Sequence, residues 1–257
     1  MKVIIIVSSV LFTFLSFSQS SYKVVHIKGD LNKSKTDKNI QIGDQLTKQE
    51  LIEIKGEKVN CILFNGTEKL TLKANESTTK GRVDQMFASV PERQMMELRG
   101  DNDSAYIKIS DFFKNDKYLF MDTTESILLN KDYIKDLGNN KFFVIDSEDK
   151  KSLIKFEDSI LKLEVNKIFK DQEKEKEIKI YSINTNTGVF VKEAVVFIFR
   201  LNKEEFQKQA KVIVELLDST LTTDEKIEKS FSVLEEVYGG LNFQKWVTYY
   251  KKNFDSN

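Results

Sequence analysis

The chain of 257 residues carries 40 basic and 40 acidic side chains, which cancel to a formal net charge of zero, so no overall field selects for nucleic acid. One His and one Cys exclude an internal disulfide and the usual zinc or copper sites within one chain, and leave any Ser-His-Asp or Cys-His arrangement resting on His26 alone. Lysine outnumbers arginine by 36 to four, the composition of an AT-rich, bacterial genome.

The start of the chain is a basic Met1-Lys2, a charge-free run from Val3 to Leu15, and Ser16-Phe17-Ser18 leading to Gln19. This pattern predicts a secretory signal peptide over residues 1–18, cut between Ser18 and Gln19. Its apolar run of about 13 residues is shorter than the roughly 20 a helix needs to cross a bilayer. The longest wholly apolar run beyond it is Ala194 to Phe199. The mature chain is therefore expected to be exported, to the periplasm, the cell surface or the medium, and not to span the membrane. Cys61 is far from the cleavage point, which excludes a lipid-modified Cys there. Its apolar surroundings, Ile62-Leu63-Phe64, predict a buried, inert thiol.

Residues 19–73 show short β-prone runs separated by polar turns: Tyr22 to Ile27, Leu51 to Ile54, Val59 to Phe64 and Leu70 to Leu72. Asn65-Gly66 is the strongest hairpin signal and predicts a type I′ turn. The whole reads as a small, strongly bent antiparallel sheet or barrel-like module. Gly29, the string Ile42-Gly43-Asp44-Gln45-Leu46, the strand from Val59 to Thr67, Leu70-Thr71-Leu72 and Asn75 together resemble the FecR-type periplasmic domain. Asn65 stands where that family usually has Asp, and no transmembrane helix joins the module to a signalling partner. The resemblance thus implies a β-rich extracytoplasmic module. The whole chain is also similar to uncharacterised secreted proteins of Bacteroidetes, a likeness that implies no function.

Periodicity stops over 74–103, which predicts a linker. It concentrates Arg82, Arg93 and Arg99, whose planar guanidinium groups suit bidentate contact with a partner's carboxylate or phosphate; local pairing with backbone carbonyls or neighbouring acids is the competing reading. Residues 104–200 return to β-prone runs about ten residues apart, the spacing of a sandwich-like domain, with Phe190 to Phe199 as its most apolar strand and expected core centre. Residues 201–257 change to helical period: Phe206, Ala210, Ile213 and Leu217; then Ile227, Phe231, Leu234 and Tyr238, ended by Gly239-Gly240; then a helix capped by Asn242 that carries Phe243, Trp246, Val247 and Tyr250. The expected fold is mainly β with about three helices at the C-terminus, an α+β chain.

Chemistry is thinly supplied. His26 alternates with Val25 and Ile27 on a strand, which reads as a surface or barrel-lining histidine. No phosphate loop, nucleophile elbow or dinucleotide fingerprint occurs. Asp101-Asn102-Asp103 and Asp146 to Asp149 concentrate oxygen ligands for calcium without the spacing of a calcium loop. No catalytic residue, cofactor or metal ligand is assigned. The leading expectation is a non-catalytic extracytoplasmic binding or structural protein of a bacterial envelope. Its partner would be another envelope protein, with Arg82, Arg93, Arg99 and Trp246 as candidate contacts. The alternative is a carbohydrate-binding protein or glycoside-active enzyme on a β-sandwich, which requires two carboxyls about 5 to 10 Å apart in one cleft beside an exposed Trp or Tyr.

Overall fold

The computed structural model describes residues 21–74, 79–90, 108–113, 117–133, 140–146, 151–170 and 173–255. The signal segment, Arg93, Arg99, Asp101 to Asp103 and Ser147 to Asp149 lie outside them. The described chain is mainly β with helices gathered at its C-terminal end.

The N-terminal part runs through β1 (Ser21–Lys28), β2 (Leu31–Lys33), β3 (Lys38–Asn39), β4 (Gln45–Thr47), β5 (Leu51–Ile54), β6 (Val59–Phe64), β7 (Lys69–Ala74), β8 (Lys80–Arg82), the short helix α1 (Val83–Met86) and β9 (Ala88–Ser89). They form a five-stranded sheet, β4-β1-β6-β7-β9, and a four-stranded sheet, β3-β2-β5-β8, all antiparallel. The two enclose one core that includes Tyr22, Val24, Leu31, Ile52, Cys61, Leu63 and Val83. The barrel-like expectation is thus corrected to two open sheets. The linker expectation also gives way over 80–89, because β8 pairs with β5 and β9 pairs with β7. Three-residue and two-residue strands are too short to show any period, so sequence alone reads them as loop.

The hairpin between β6 and β7 forms as expected, with a different turn. Only Gly66 has positive φ, at 97°. Asn65 instead turns the chain with its side chain, its Oδ1 accepting from Thr67 N at 3.0 Å and Glu68 N at 2.7 Å, an Asx arrangement that replaces the type I′ turn.

The second part holds α2 (Ile109–Phe112), β10 (Lys117–Phe120), β11 (Thr124–Leu128), β12 (Asn140–Asp146), β13 (Lys151–Glu157), β14 (Ile160–Glu164), α3 (Val165–Ile168), β15 (Glu175–Asn184) and β16 (Phe190–Arg200). All seven strands join one sheet in the order β10-β16-β15-β12-β13-β14-β11. β13 changes partner midway, pairing with β12 up to Ile154 and with β14 from Lys155, so the sheet turns a corner and folds around its own core of Phe120, Ile127, Phe142, Leu161, Ile178, Val196 and Ile198.

Three helices complete the chain: α4 (Lys203–Leu216), α5 (Thr223–Tyr238) and α6 (Phe243–Asn253). Each opens on a side-chain cap, the one at Asn242 as expected. Asn202 and Asn242 accept from Glu205 N and Lys245 N, and Thr222 forms a reciprocal box with Glu225. Gly239 ends α5 at φ 75°. Their apolar stripes meet Val25, Ile62 and Phe64 of the first sheet and Leu119 of β10 in a third core. This explains why β6 has almost no polar alternation: Cys61 and Leu63 face one core, Ile62 and Phe64 the other. No described helix is long and apolar enough to cross a membrane.

Candidate functional site

The segment from Met121 to Thr124 leads from β10 into β11 and passes beneath α6. On β11, Glu125 and Ile127 are buried while Thr124, Ser126 and Leu128 are exposed, so the period of two turns a carboxylate inward. Its partner comes from α6: Lys245 Nζ lies 2.7 Å from Glu125 Oε2 and 3.0 Å from Asp122 Oδ2. The Glu125 side chain is 1 % exposed. Burial pushes its carboxyl above the usual carboxylate range, against the pull of Lys245. Burial pulls the Lys245 ammonium the other way, and Glu125 and Asp122 outweigh it, leaving that group raised and charged.

Over this ion-pair floor opens a cleft of about 550 Å³ between the start of α4 and one face of α6. Gln244, Lys245, Thr248, Tyr249 and Lys252 line it from α6, at the spacing that places them on one helical face. Met121 and Leu201 supply apolar walls with Phe206 behind them, and Lys203 stands at the mouth from the first turn of α4. Asp122 is the one acid among the lining residues. Glu125 sits behind the Lys245 ammonium, so the two carboxyls are not presented together to a ligand. The arrangement can bind and orient a small molecule.

The predicted contact residues fare differently. Arg82, at the end of β8, has its guanidinium turned onto Asp84, with Nε 3.1 Å from Oδ1 and a second contact from Nη2; its fork is engaged locally. Trp246 is fully buried, its Nε1 donating to Ile227 O at 3.1 Å, and Tyr250 is buried with it. Trp246 is thus core, as helical spacing of aromatics usually is, and the expectation of a partner contact there is corrected. His26 is neither free surface nor barrel lining: it packs beside α4, with Gln209 Nε2 3.2 Å from its Nδ1, and burial followed by repulsion from Lys28 lowers its pKa to about 4.

β16 departs from its expected role as the core centre. Val196 and Ile198 point inward and are buried, while Phe190 and Val195 on the outer face are 51 % and 40 % exposed. Val189 and Leu153 are open as well. Lys151 Nζ, on the same face of β13 as Leu153, lies 5.5 Å from the Phe190 ring centre, which draws the far end of the β15-β16 hairpin and β13 into one patch. Closer to β10, Glu175 and Glu177 share a depression with Phe197 and Phe199; Lys28 engages Glu175 at 3.2 Å. Among the described residues no group of three His, Cys, Asp or Glu side chains converges as a metal site would require.

Sequence reasoning missed the cleft because its parts are far apart in the chain and chemically ordinary. Lys245 is one of 36 lysines, and the one available signal is Glu125 falling in phase with Ile127. Searches against family models, curated proteins and solved structures find no match for this chain.

Proposed function

We propose that the protein is a non-catalytic, exported binding protein of a bacterial envelope that works through protein–protein contact, using the open end of the β15-β16 hairpin. The observation that carries the reading is the apolar patch of Leu153, Val189, Phe190 and Val195, which holds four of the seven large hydrophobic side chains exposed among the described residues. A patch of this kind, bordered by charge, is a common form of protein contact surface. Lys151, Lys179 and Lys192 lie around it, so the favoured partner presents an apolar surface with an acidic rim. Export rests on the signal-peptide pattern of residues 1–18, and the N-terminal resemblance to FecR-type domains agrees with an extracytoplasmic setting.

Affinity purification of the tagged protein from its native envelope, followed by a salt wash, tests this. A stoichiometric protein should remain with the wild type and disappear with Phe190→Ser/Val195→Ser at unchanged thermal stability. Equal recovery with both, or no partner with either, overturns the proposal.

A further inference from the structure

The cleft beneath α6 is chemically distinct from the hairpin patch and lies on other elements. Lys245 is already neutralised by Glu125 and Asp122, at 2.7 and 3.0 Å. The remaining cations at the cleft, Lys203 and Lys252, are exposed and have no acidic partner among the described residues. Charge at the cleft is therefore uneven: two carboxyls share one ammonium at the floor and two further ammonium groups stand at the mouth, an excess of one positive charge. Between them the walls are apolar, formed by Met121, Leu201 and Tyr249, with Phe206 buried behind them. A neutral hydrophobic ligand would leave both ammonium groups unmatched, and an inorganic anion would leave the apolar walls wet. A molecule with a carboxylate at one end and an apolar body satisfies both.

We propose that this cleft is a binding site for a small organic carboxylate, whose anionic group is held by Lys203 and Lys252 while its aryl or alkyl body lies against Tyr249, Leu201 and Met121. The cleft volume of about 550 Å³ is within the range of small-ligand sites. Gln207 and Gln244 at its border supply amide donors for further polar groups on the ligand. Nothing in this assignment depends on the hairpin patch or its partner.

The protein carries its own reporter. Trp246 is the single tryptophan; its ring stacks on Tyr249 with centroids 5.7 Å apart and meets Phe206 edge-on at 6.0 Å. A ligand settling on Tyr249 perturbs Trp246 emission without touching it. The experiment is a fluorescence titration of the full chain with 4-phenylbutyrate and, in parallel, its uncharged amide, which has the same body. The acid should give a saturable change with a dissociation constant on the order of 1 mM or tighter, and the amide should bind roughly tenfold more weakly. In Lys203→Gln/Lys252→Gln, two exposed changes that leave the core intact, the affinity for the acid should fall to that of the amide. The assignment is overturned if neither compound gives a saturable change, if acid and amide bind alike to the wild type, or if the double variant keeps the preference for the acid.

Discussion

The side-chain amide of Gln209 has no exposed surface and joins His26 to Tyr238: its Nε2 lies 3.2 Å from His26 Nδ1, and its Oε1 accepts from the Tyr238 hydroxyl at 2.5 Å. Glu205 Oε1 takes a further bond from the same Nε2 at 3.2 Å. One amide thereby ties β1 to α4 and α5. Because the amide nitrogen donates, His26 Nδ1 accepts, and the ring is held neutral.

A pH dependence follows. His26 titrates at about 4 in the fold, from burial and then Lys28, against about 6.5 in the unfolded chain. Between those values the unfolded state takes up a proton that the folded state refuses. Stability contributed by neutral His26 is complete above pH 6.5 and falls as pH drops toward 4, by about 2–3 kcal/mol. Urea unfolding across this range should show a steeper acid loss for the wild type than for His26→Gln; coincident slopes would remove His26 as the source.

Lys245 and Glu125 should respond unequally to truncation. Lys245→Ala leaves a buried carboxylate without its main partner and should cost about 3 kcal/mol at neutral pH, whereas Glu125→Gln leaves Lys245 with Asp122 and should cost about 1 kcal/mol. The Glu125 carboxyl already titrates above its usual range, and losing Lys245 raises it further. As pH falls toward the usual carboxylate value the folded variant protonates first and recovers stability. Denaturation at neutral and mildly acidic pH decides this: a Lys245→Ala variant that fails to gain on the wild type on acidification would contradict it.

Gly66 is fixed by two constraints. Its φ is 97°, and a Cβ there would sit 2.3 Å from the Leu216 carbonyl oxygen at the end of α4. Gly66→Ala should cost about 2–4 kcal/mol, since the obstructing atom is backbone. Gly188, at φ 69° with nothing within 4 Å, is the control, and its Ala variant should cost only about 1 kcal/mol. Equal melting temperatures for the two variants would show that the Leu216 carbonyl yields freely.

Trp246→Ala should destabilise by about 3–5 kcal/mol as a core truncation. Trp246→Phe keeps most of the apolar volume and loses the indole bond to Ile227 O, a carbonyl inside α5, so its cost should be about 1–2 kcal/mol. Thermal unfolding of both variants checks the order; a Trp246→Ala protein as stable as the wild type would place this ring outside the core.

What could be read beforehand follows from the length of the signals. The helices repeat their apolar stripe over eleven to sixteen residues and carry capping residues, so their ends were legible to within about two residues. The strands β8 and β9, of three and two residues, carry no period, and their pairing is decided by β5 and β7, far away in sequence. The run from Ala194 to Phe199 is apolar on both faces, which in sequence reads as a fully covered strand. Only one face is covered, and the other becomes the exposed patch. The cleft shows the same limit. Glu125 is 120 residues from Lys245, and no local pattern predicts their meeting.

Val25, Ile62 and Phe64 turn away from the N-terminal core and are buried by helices that begin at Lys203. During synthesis the first sheet thus emerges with a hydrophobic outer face that stays uncovered until nearly the whole chain has been made. A ribosome that stops short of α6 releases a sticky, half-roofed sheet rather than a smaller stable protein. Chaperone demand should accordingly depend on how late the C-terminal helices arrive, and the natural unit for expression or evolutionary exchange is the sheet together with its distant helical roof.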